Sequence, residues 1–196
     1  MTHKLSIGEM NRLTVEEYRS VQKLPLTIVL DNVRSQNNIG SVFRTADAFR
    51  VEHIALCGIC STPPHRDIHK TALGAENSVE WSYFESAVDC LRDLKSRGYT
   101  IFAVEQIDDS IKLGSDLSNR IQNLTQSADT QLDDSPADSE KIAIVLGNEI
   151  DGVQDTLLPL CDGSLEIPQF GTKHSLNVSC AAAIVIWEMF KYLKHE

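Results

Sequence analysis

No apolar run in this 196-residue chain is long enough to cross a bilayer, which takes about 20 residues. The opening stretch, MTHKLSIGEMNRLTVEEYRS, is polar and partly helical in pattern, with no secretory apolar segment. These absences predict a soluble, cytoplasmic protein with no membrane partner. There is no GxGxxG, so the dinucleotide-type loop of a Rossmann sheet is excluded. The cysteines number five (Cys57, Cys60, Cys90, Cys161 and Cys180), and an odd count without a secretion signal argues against a disulfide framework. Cys90, Cys161 and Cys180 sit in apolar settings and read as small core residues. No internal repeat is visible.

Positive charge is also scarce. Eighteen Lys and Arg face 28 Asp and Glu, a net charge of −10, which by itself argues against a nucleic-acid partner. The imbalance is local. Residues 105–140 carry nine acids and two bases, whereas residues 1–76 carry nine bases and eight acids. Residues 125–140, TQSADTQLDDSPADSE, contain one large apolar residue, Leu132, and predict a solvated, flexible acidic loop inserted between core elements.

Elsewhere, apolar strands alternate with helical patterns. Leu26-Thr27-Ile28-Val29-Leu30 and Ile142-Ala143-Ile144-Val145-Leu146 are continuous apolar runs, the signature of strands buried on both faces of a parallel sheet. Residues 54–57, 79–83, 99–104 and 164–167 read as further strands. Residues 39–49, a short segment from Pro63-Pro64 to about Leu73, and 84–97 read as helices, with Gly74 and Gly98 as stops. The pattern predicts an α/β fold with a mostly parallel sheet and helices on both faces. Its length suits one domain, residues 26–196, after an N-terminal extension, residues 1–25.

The last stretch, IPQFGTKHSLNVSCAAAIVIWEMFKYL, organises the rest. It opens as a loop around Pro168 and Gly171. Ser175 and Asn177 then offer caps for a helix over residues 178–193. That helix is apolar on every face, which predicts cover from its own sheet on one side and from a second copy of the chain on another. Ala182 and Ile186 are both expected at this homodimer contact.

Three polar clusters follow apolar strands: Asn38 to Arg44, Gly147 to Gly152, and the loop from Ile167 to Ser179. Ligands of open α/β sheets gather at the carboxyl ends of strands, so the clusters are expected to converge. Singly, each has an ordinary reading. Asn38 suits a helix cap, Arg44 a surface position, and residues 147–152 a plain turn. Gly40 and Arg44, four apart, are expected on one helix face, with Gly40 leaving room for substrate backbone.

In this order, however, the clusters resemble the SpoU (TrmH-like) family of RNA ribose methyltransferases within the SPOUT superfamily. Asn38-x-Gly40-x-x-x-Arg44, then Gly147-x-Glu149-x-x-Gly152, then Ile167-Pro168-x-x-Gly171 with Ser175-Leu176-Asn177-Val178-Ser179 fit its motifs in register. The resemblance covers roughly residues 26–193. It implies a C-terminal trefoil knot, which periodicity could not show. It further implies S-adenosyl-L-methionine as cofactor, held at Gly147, Ile167 and Leu176 with Val104 lining the pocket. The substrate implied is a ribose 2′-hydroxyl in tRNA or rRNA, and the implied catalytic set is Arg44, Asn38, Glu149, Ser175 and Asn177. A guanidinium rarely gives up a proton, so Arg44 reads as a phosphate clamp and oxyanion stabiliser. Asn38 would orient the ribose or Arg44, and Glu149 would pair with Arg44 or fix its loop. Ser175 and Asn177 would hold the substrate or the knot loop. A knotted RNA-binding module without catalysis and a base-nitrogen methyltransferase are the alternatives. Retention of Asn38 with Arg44 speaks against the first, and the SLNVS run speaks against the second.

Cys57, Cys60, His65 and His69 form a possible metal set, but zinc fingers separate their ligand pairs by about 12 residues or more. No metal site is expected there. His65, Arg66, His69 and Lys70 read instead as a polar helix face that could touch RNA.

Overall fold

The computed structural model describes residues 3–6, 8–114, 117–128 and 140–194, without side chains for 123–128. Seven strands pair in the order β3-β2-β1-β6-β4-β7-β5. They are β1 (Leu24–Asp31), β2 (Val51–Cys57), β3 (Glu80–Phe84), β4 (Thr100–Val104), β5 (Ile111–Lys112), β6 (Ile142–Leu146) and β7 (Gly163–Glu166). Every pairing between them is parallel. The helices are α1 (Val15–Ser20), α2 (Gln36–Ala48), α3 (Arg66–Ala72), α4 (Ala87–Ser96), α5 (Leu117–Ala128) and α6 (Val178–Lys194).

The continuous apolar runs became the central strands because both faces are covered. Period-two alternation divides β1 and β6 between two cores. Leu26, Ile28, Leu30, Ile142, Ile144 and Leu146 face the side built by α2, α3 and α6. Val29, Ala143 and Val145 face the side of α4. The first face carries bulkier aliphatic side chains from these two strands than the second.

Several boundaries differ from expectation. The short strand β5 and helix α5 were not anticipated, because two residues cannot show a strand period and α5 lies in a polar stretch. α5 continues to Ala128, so the expected acidic loop does not begin at residue 125; residues 129–139 lie outside the described residues. β7 pairs with both β4 and β5.

α6 is covered by its own subunit on one face only. Ala182, Val185, Ile186 and Met189 are fully buried in their own subunit. Ala182 and Ile186 therefore belong to the internal core and not to an intersubunit contact. The outward stripe is Cys180, Ile184 and Trp187, with Ile184 39% and Trp187 47% exposed. Among the described residues, no helix is long and apolar enough to cross a membrane.

Candidate active site

Helices α2 and α6 run parallel, and both start at the carboxyl end of the sheet. Near their N-termini, Asn38 meets Asn177. Toward the other end, Phe49 packs on Trp187 and Phe190 with ring centroids 5.6 and 5.3 Å away.

The cap of α2 is Ser35, whose Oγ accepts from the Asn38 N–H at 3.3 Å. Asn38 is thus not the cap, and its side chain is released for other work. Its Nδ2 donates to Glu149 Oε1 at 2.9 Å, and its Oδ1 accepts from Asn177 Nδ2 at 3.1 Å. Asn177 also caps α6, because its Oδ1 accepts from the Ser179 N–H at 2.9 Å and from Ser179 Oγ at 2.6 Å. One chain of hydrogen bonds, Glu149–Asn38–Asn177, therefore joins segments more than 100 residues apart.

Burial pushes the Glu149 carboxyl up, but bonds from Asn38 and from the Arg34 and Ser35 N–H groups outweigh it, and the net position is below the ordinary glutamate range. Glu149 is therefore a carboxylate at neutral pH. As a hydrogen-bond acceptor it ties its loop to the start of α2.

That loop is tightly closed. Asn148 and Gly152 exchange backbone hydrogen bonds at 3.1 and 3.2 Å, and Asn148 Oδ1 accepts from the Ile150 and Asp151 N–H groups at 2.9 Å each. A Cβ on Gly147 would lie 1.9 Å from the Gly152 carbonyl carbon and oxygen, so only glycine fits. Two acids outside the motifs hold the loop from below. Glu105 accepts from the Val153 N–H at 3.1 Å, and Asp31 accepts from Gln154 Nε2 at 2.9 and 3.1 Å. Sequence reasoning missed both. The available signal was an acid at the carboxyl end of an apolar strand, since Asp31 ends β1 and Glu105 follows β4.

A cavity of about 520 Å³ opens beside this loop. It brings together all four expected cofactor contacts, Val104, Gly147, Ile167 and Leu176, and two catalytic candidates, Glu149 and Ser175. Ser175 is exposed and makes no hydrogen bond to another described residue. Asn38 and Asn177 stand just outside the wall, reaching it through Glu149 and through Leu176 next in chain.

Arg44 is placed elsewhere. Six residues beyond Asn38, it lies about 9 Å further along the helix and about 120° round from it. It is exposed, off the cavity wall, and makes no hydrogen bond or ion pair with a described residue. Of the two roles expected for Glu149, pairing with Arg44 is not formed; Asn38 and the Arg34 and Ser35 N–H groups occupy the carboxylate, which fixes its loop instead. Gly40 does not open room for substrate either. A Cβ there would meet Ile68 O and Thr71 Oγ1 at 2.2 Å, so α3 fills that space.

The possible metal set is engaged separately. Cys60 Sγ accepts from the Val33 N–H at 3.2 Å, and burial pushes its thiol up to about 11. Cys57 is fully buried, His65 Nδ1 accepts from the Asp67 N–H at 3.2 Å, and His69 meets Glu76 at 2.5 Å. Among the described residues, no three His, Cys, Asp or Glu side chains are grouped to hold a metal ion.

The chain is 32% identical over 164 residues to the 23S rRNA (guanosine-2′-O-)-methyltransferase RlmB of Neisseria meningitidis, covering 84% of this chain and 57% of that protein. It is 28% identical over 181 residues to the tRNA (guanosine(18)-2′-O)-methyltransferase of Thermus thermophilus, covering 92% and 81%. The chain thus spans little more than half of the first relative and about four fifths of the second. Its fold superimposes on the A. aeolicus TrmH/SpoU tRNA modifying enzyme with a TM-score of 0.72 at 22% identity, covering 92% of this chain and 83% of that one. The sequence profile described as the SpoU rRNA Methylase family matches residues 25–187. With Asn38, Glu149 and Asn177, one residue from each motif, joined at one end of a parallel sheet, this chain belongs to the SpoU rRNA methylase family.

Proposed function

We propose that this protein is an S-adenosylmethionine-dependent methyltransferase acting on a ribose 2′-hydroxyl in tRNA or rRNA. The observation that carries the reading is the single cavity that collects Val104, Gly147, Ile167 and Leu176, with the Glu149–Asn38–Asn177 chain at its rim. The Neisseria and Thermus relatives, named as guanosine 2′-O-methyltransferases of rRNA and tRNA, support it.

The cavity suits the cofactor by size and by chemistry. Its volume lies in the usual range for small-molecule sites, about 300–1,000 Å³. Apolar walls from Val104, Leu146, Ile167 and Leu176 match an adenine ring, and Glu105, Glu149, Asp155 and Glu166 favour a cationic ligand. S-adenosylmethionine would supply a methyl group already activated on a sulfonium.

The chain's own residues then mainly position the substrate, which can supply much of the rate. Asn38 and Asn177 hold the rim and keep the two loops in register. Glu149 anchors the 147–152 loop and is too weak a base, with its lowered pKa, to be the main proton acceptor. Ser175, exposed with an open hydroxyl, offers a hydrogen bond to the ribose. Arg44 has no carboxylate partner among the described residues, which leaves its fork for an RNA phosphate and for charge developing on the 2′-oxygen.

Two further readings belong to this proposal. The segment leaving β6 crosses β4 to reach β7, and the segment leaving β7 returns to α6 beside α2; we propose that these two crossings form the knot. The outward Cys180–Ile184–Trp187 stripe is the homodimer surface. Residues 26–196 act as the methyltransferase domain, in the cytoplasm where tRNA and rRNA are found.

Incubation with methyl-labelled S-adenosylmethionine and separate tRNA and rRNA pools, followed by nucleoside analysis, tests the reading. A labelled 2′-O-methylnucleoside is expected. Label found only on bases, or no label with cofactor bound, would reject it.

A further inference from the structure

Beyond the catalytic rim, the molecule carries a second concave surface that the chemistry above does not use. It lies over β3, the outermost strand at one side of the sheet. Two adjoining cavities, of about 690 and 500 Å³, share His65 and Trp81 as lining residues. Arg66 and His69 of α3 line the first, and Tyr83 lines the second.

We propose that this surface is a groove for single-stranded RNA flanking the modified nucleotide. The proposal rests on the reading of the chain as an RNA methyltransferase. Its floor is aromatic: Trp81 and Tyr83 are two apart on one strand and share a face, which places their Cα atoms about 6.7 Å apart. That spacing suits successive bases of an extended strand, and an aromatic face stacks any base. Tyr83 is 47% exposed and its ring is fixed, because its hydroxyl donates to the Gly58 carbonyl at 2.8 Å.

The wall supplies donors suited to phosphate. His65 uses Nδ1 to accept from the Asp67 N–H, so its neutral ring carries the proton on Nε2 as a donor. Arg66 is exposed and has no carboxylate partner among the described residues. On the far side, the Arg19 guanidinium donates to the Asn77 carbonyl at 3.0 Å, and Asn77 lines the first cavity. Of the acids nearby, Asp67 is ion-paired with Lys70, and Glu76, which lines the first cavity, meets His69, each at 2.5 Å. With Arg66 and Arg19 at its walls and Asp67 offset by Lys70, the groove is less repulsive to phosphate than the net charge of the chain implies.

Continuity with the catalytic rim completes the case. Gln36 Nε2 donates to Ser61 Oγ at 3.0 Å, and Thr71 Oγ1 donates to the Asn37 carbonyl at 2.9 Å. The wall of the groove is thus bonded to the two residues that precede Asn38. A strand lying in the groove leads toward the start of α2, where the target ribose is placed.

Trp81 and Trp187 are the two tryptophans of the chain, which makes the test direct. The full chain is titrated with a mixed-sequence 12-nucleotide single-stranded RNA while tryptophan emission is followed. Quenching is expected, and Trp81→Phe should abolish it. Arg66→Glu should weaken binding of the 12-mer about tenfold and lower the salt slope by about 0.7 for one lost phosphate contact. Both variants should raise the KM for RNA in the methylation assay while S-adenosylmethionine affinity, read by calorimetry, stays level. If Trp81→Phe loses cofactor affinity, its fold is disturbed and the exposed Arg66→Glu variant decides alone. Unchanged 12-mer binding in Arg66→Glu, or quenching that survives Trp81→Phe, overturns the groove. Methyl transfer with an unchanged KM in both variants overturns the groove and leaves the enzyme reading standing. If the unaltered chain methylates no RNA, that reading fails, and 12-mer binding judges the groove separately.

Discussion

At one end, α2 and α6 are joined by amides; at the other, by rings. The Asn38–Asn177 contact is directional, and each amide is committed to a second partner, Glu149 or Ser179. The Phe49–Trp187–Phe190 cluster is non-directional, with Trp187 and Phe190 stacked at 5.8 Å and Trp187 half exposed. The two ends therefore have different tolerances. Polar contacts beside a cavity must hold an angle, because an unmet partner leaves a loop unplaced. Ring contacts need area, and a ring that stays exposed is available to a second surface. Catalysis is expected to depend on the first end and assembly on the second.

The strongest way to break this contrast is at Arg44, which lies on α2 between the two ends. Arg44→Ala should lower turnover by about 10²–10³, the usual cost of removing one donor to a developing oxyanion, without loss of thermal stability. Arg44→Lys should also lose most turnover, since an ammonium cannot make the two parallel bonds of a guanidinium. Near-normal single-turnover rates for Arg44→Ala would move the catalytic weight to Asn38 and Asn177.

Gly147→Ala comes next. The added Cβ meets backbone that cannot swing aside, so the 147–152 loop must open. A displacement of about 1 Å there should cost about 100-fold in kcat/KM and weaken cofactor binding in calorimetry. Full affinity in this variant would show that the loop does not shape the cavity.

A smaller effect separates the two amides. Asn38→Ala and Asn177→Ala should both reduce turnover, but only Asn177→Ala should also cost about 1 kcal/mol of stability, because it alone caps a helix through its side chain. Equal melting temperatures for the two variants would remove that distinction.

At the ring end, Ile184→Glu should change monomer stability by no more than about 0.5 kcal/mol, as expected for an exposed site, yet shift the protein toward monomer in sedimentation velocity. Unchanged sedimentation would exclude the outward stripe from the dimer contact. Ala182→Glu cannot make this test, since Ala182 is fully buried and a charge there would disrupt the core of the subunit itself.

Much of this architecture was legible because local patterns report it. The apolar runs of β1 and β6 announced strands covered on both faces, and the second and third motifs marked loops that line the cavity. What was misread depends on distant neighbours. Asn38 resembled a cap until Ser35 was seen to hold that position, and Gly40 resembled an opening until α3 was seen to fill it. Of the two roles implied for Glu149, pairing with Arg44 or fixing its loop, geometry chose the second, through Asn38 and the α2 backbone.

Taken by itself, the sequence determined the alternation of strands and helices, the residues of the three motifs, and the surplus of apolar surface on α6. Periodicity and turn chemistry act over a few residues, so one chain read in order reveals them. Only the tertiary structure decided that β6 lies between β1 and β4, that β7 lies between β4 and β5, and which face of α6 turns inward. It also brought Asn38, Glu149 and Asn177 into one hydrogen-bonded chain. Those outcomes depend on which distant surface covers each face and which distant donor meets each acceptor, and no local spacing encodes that choice.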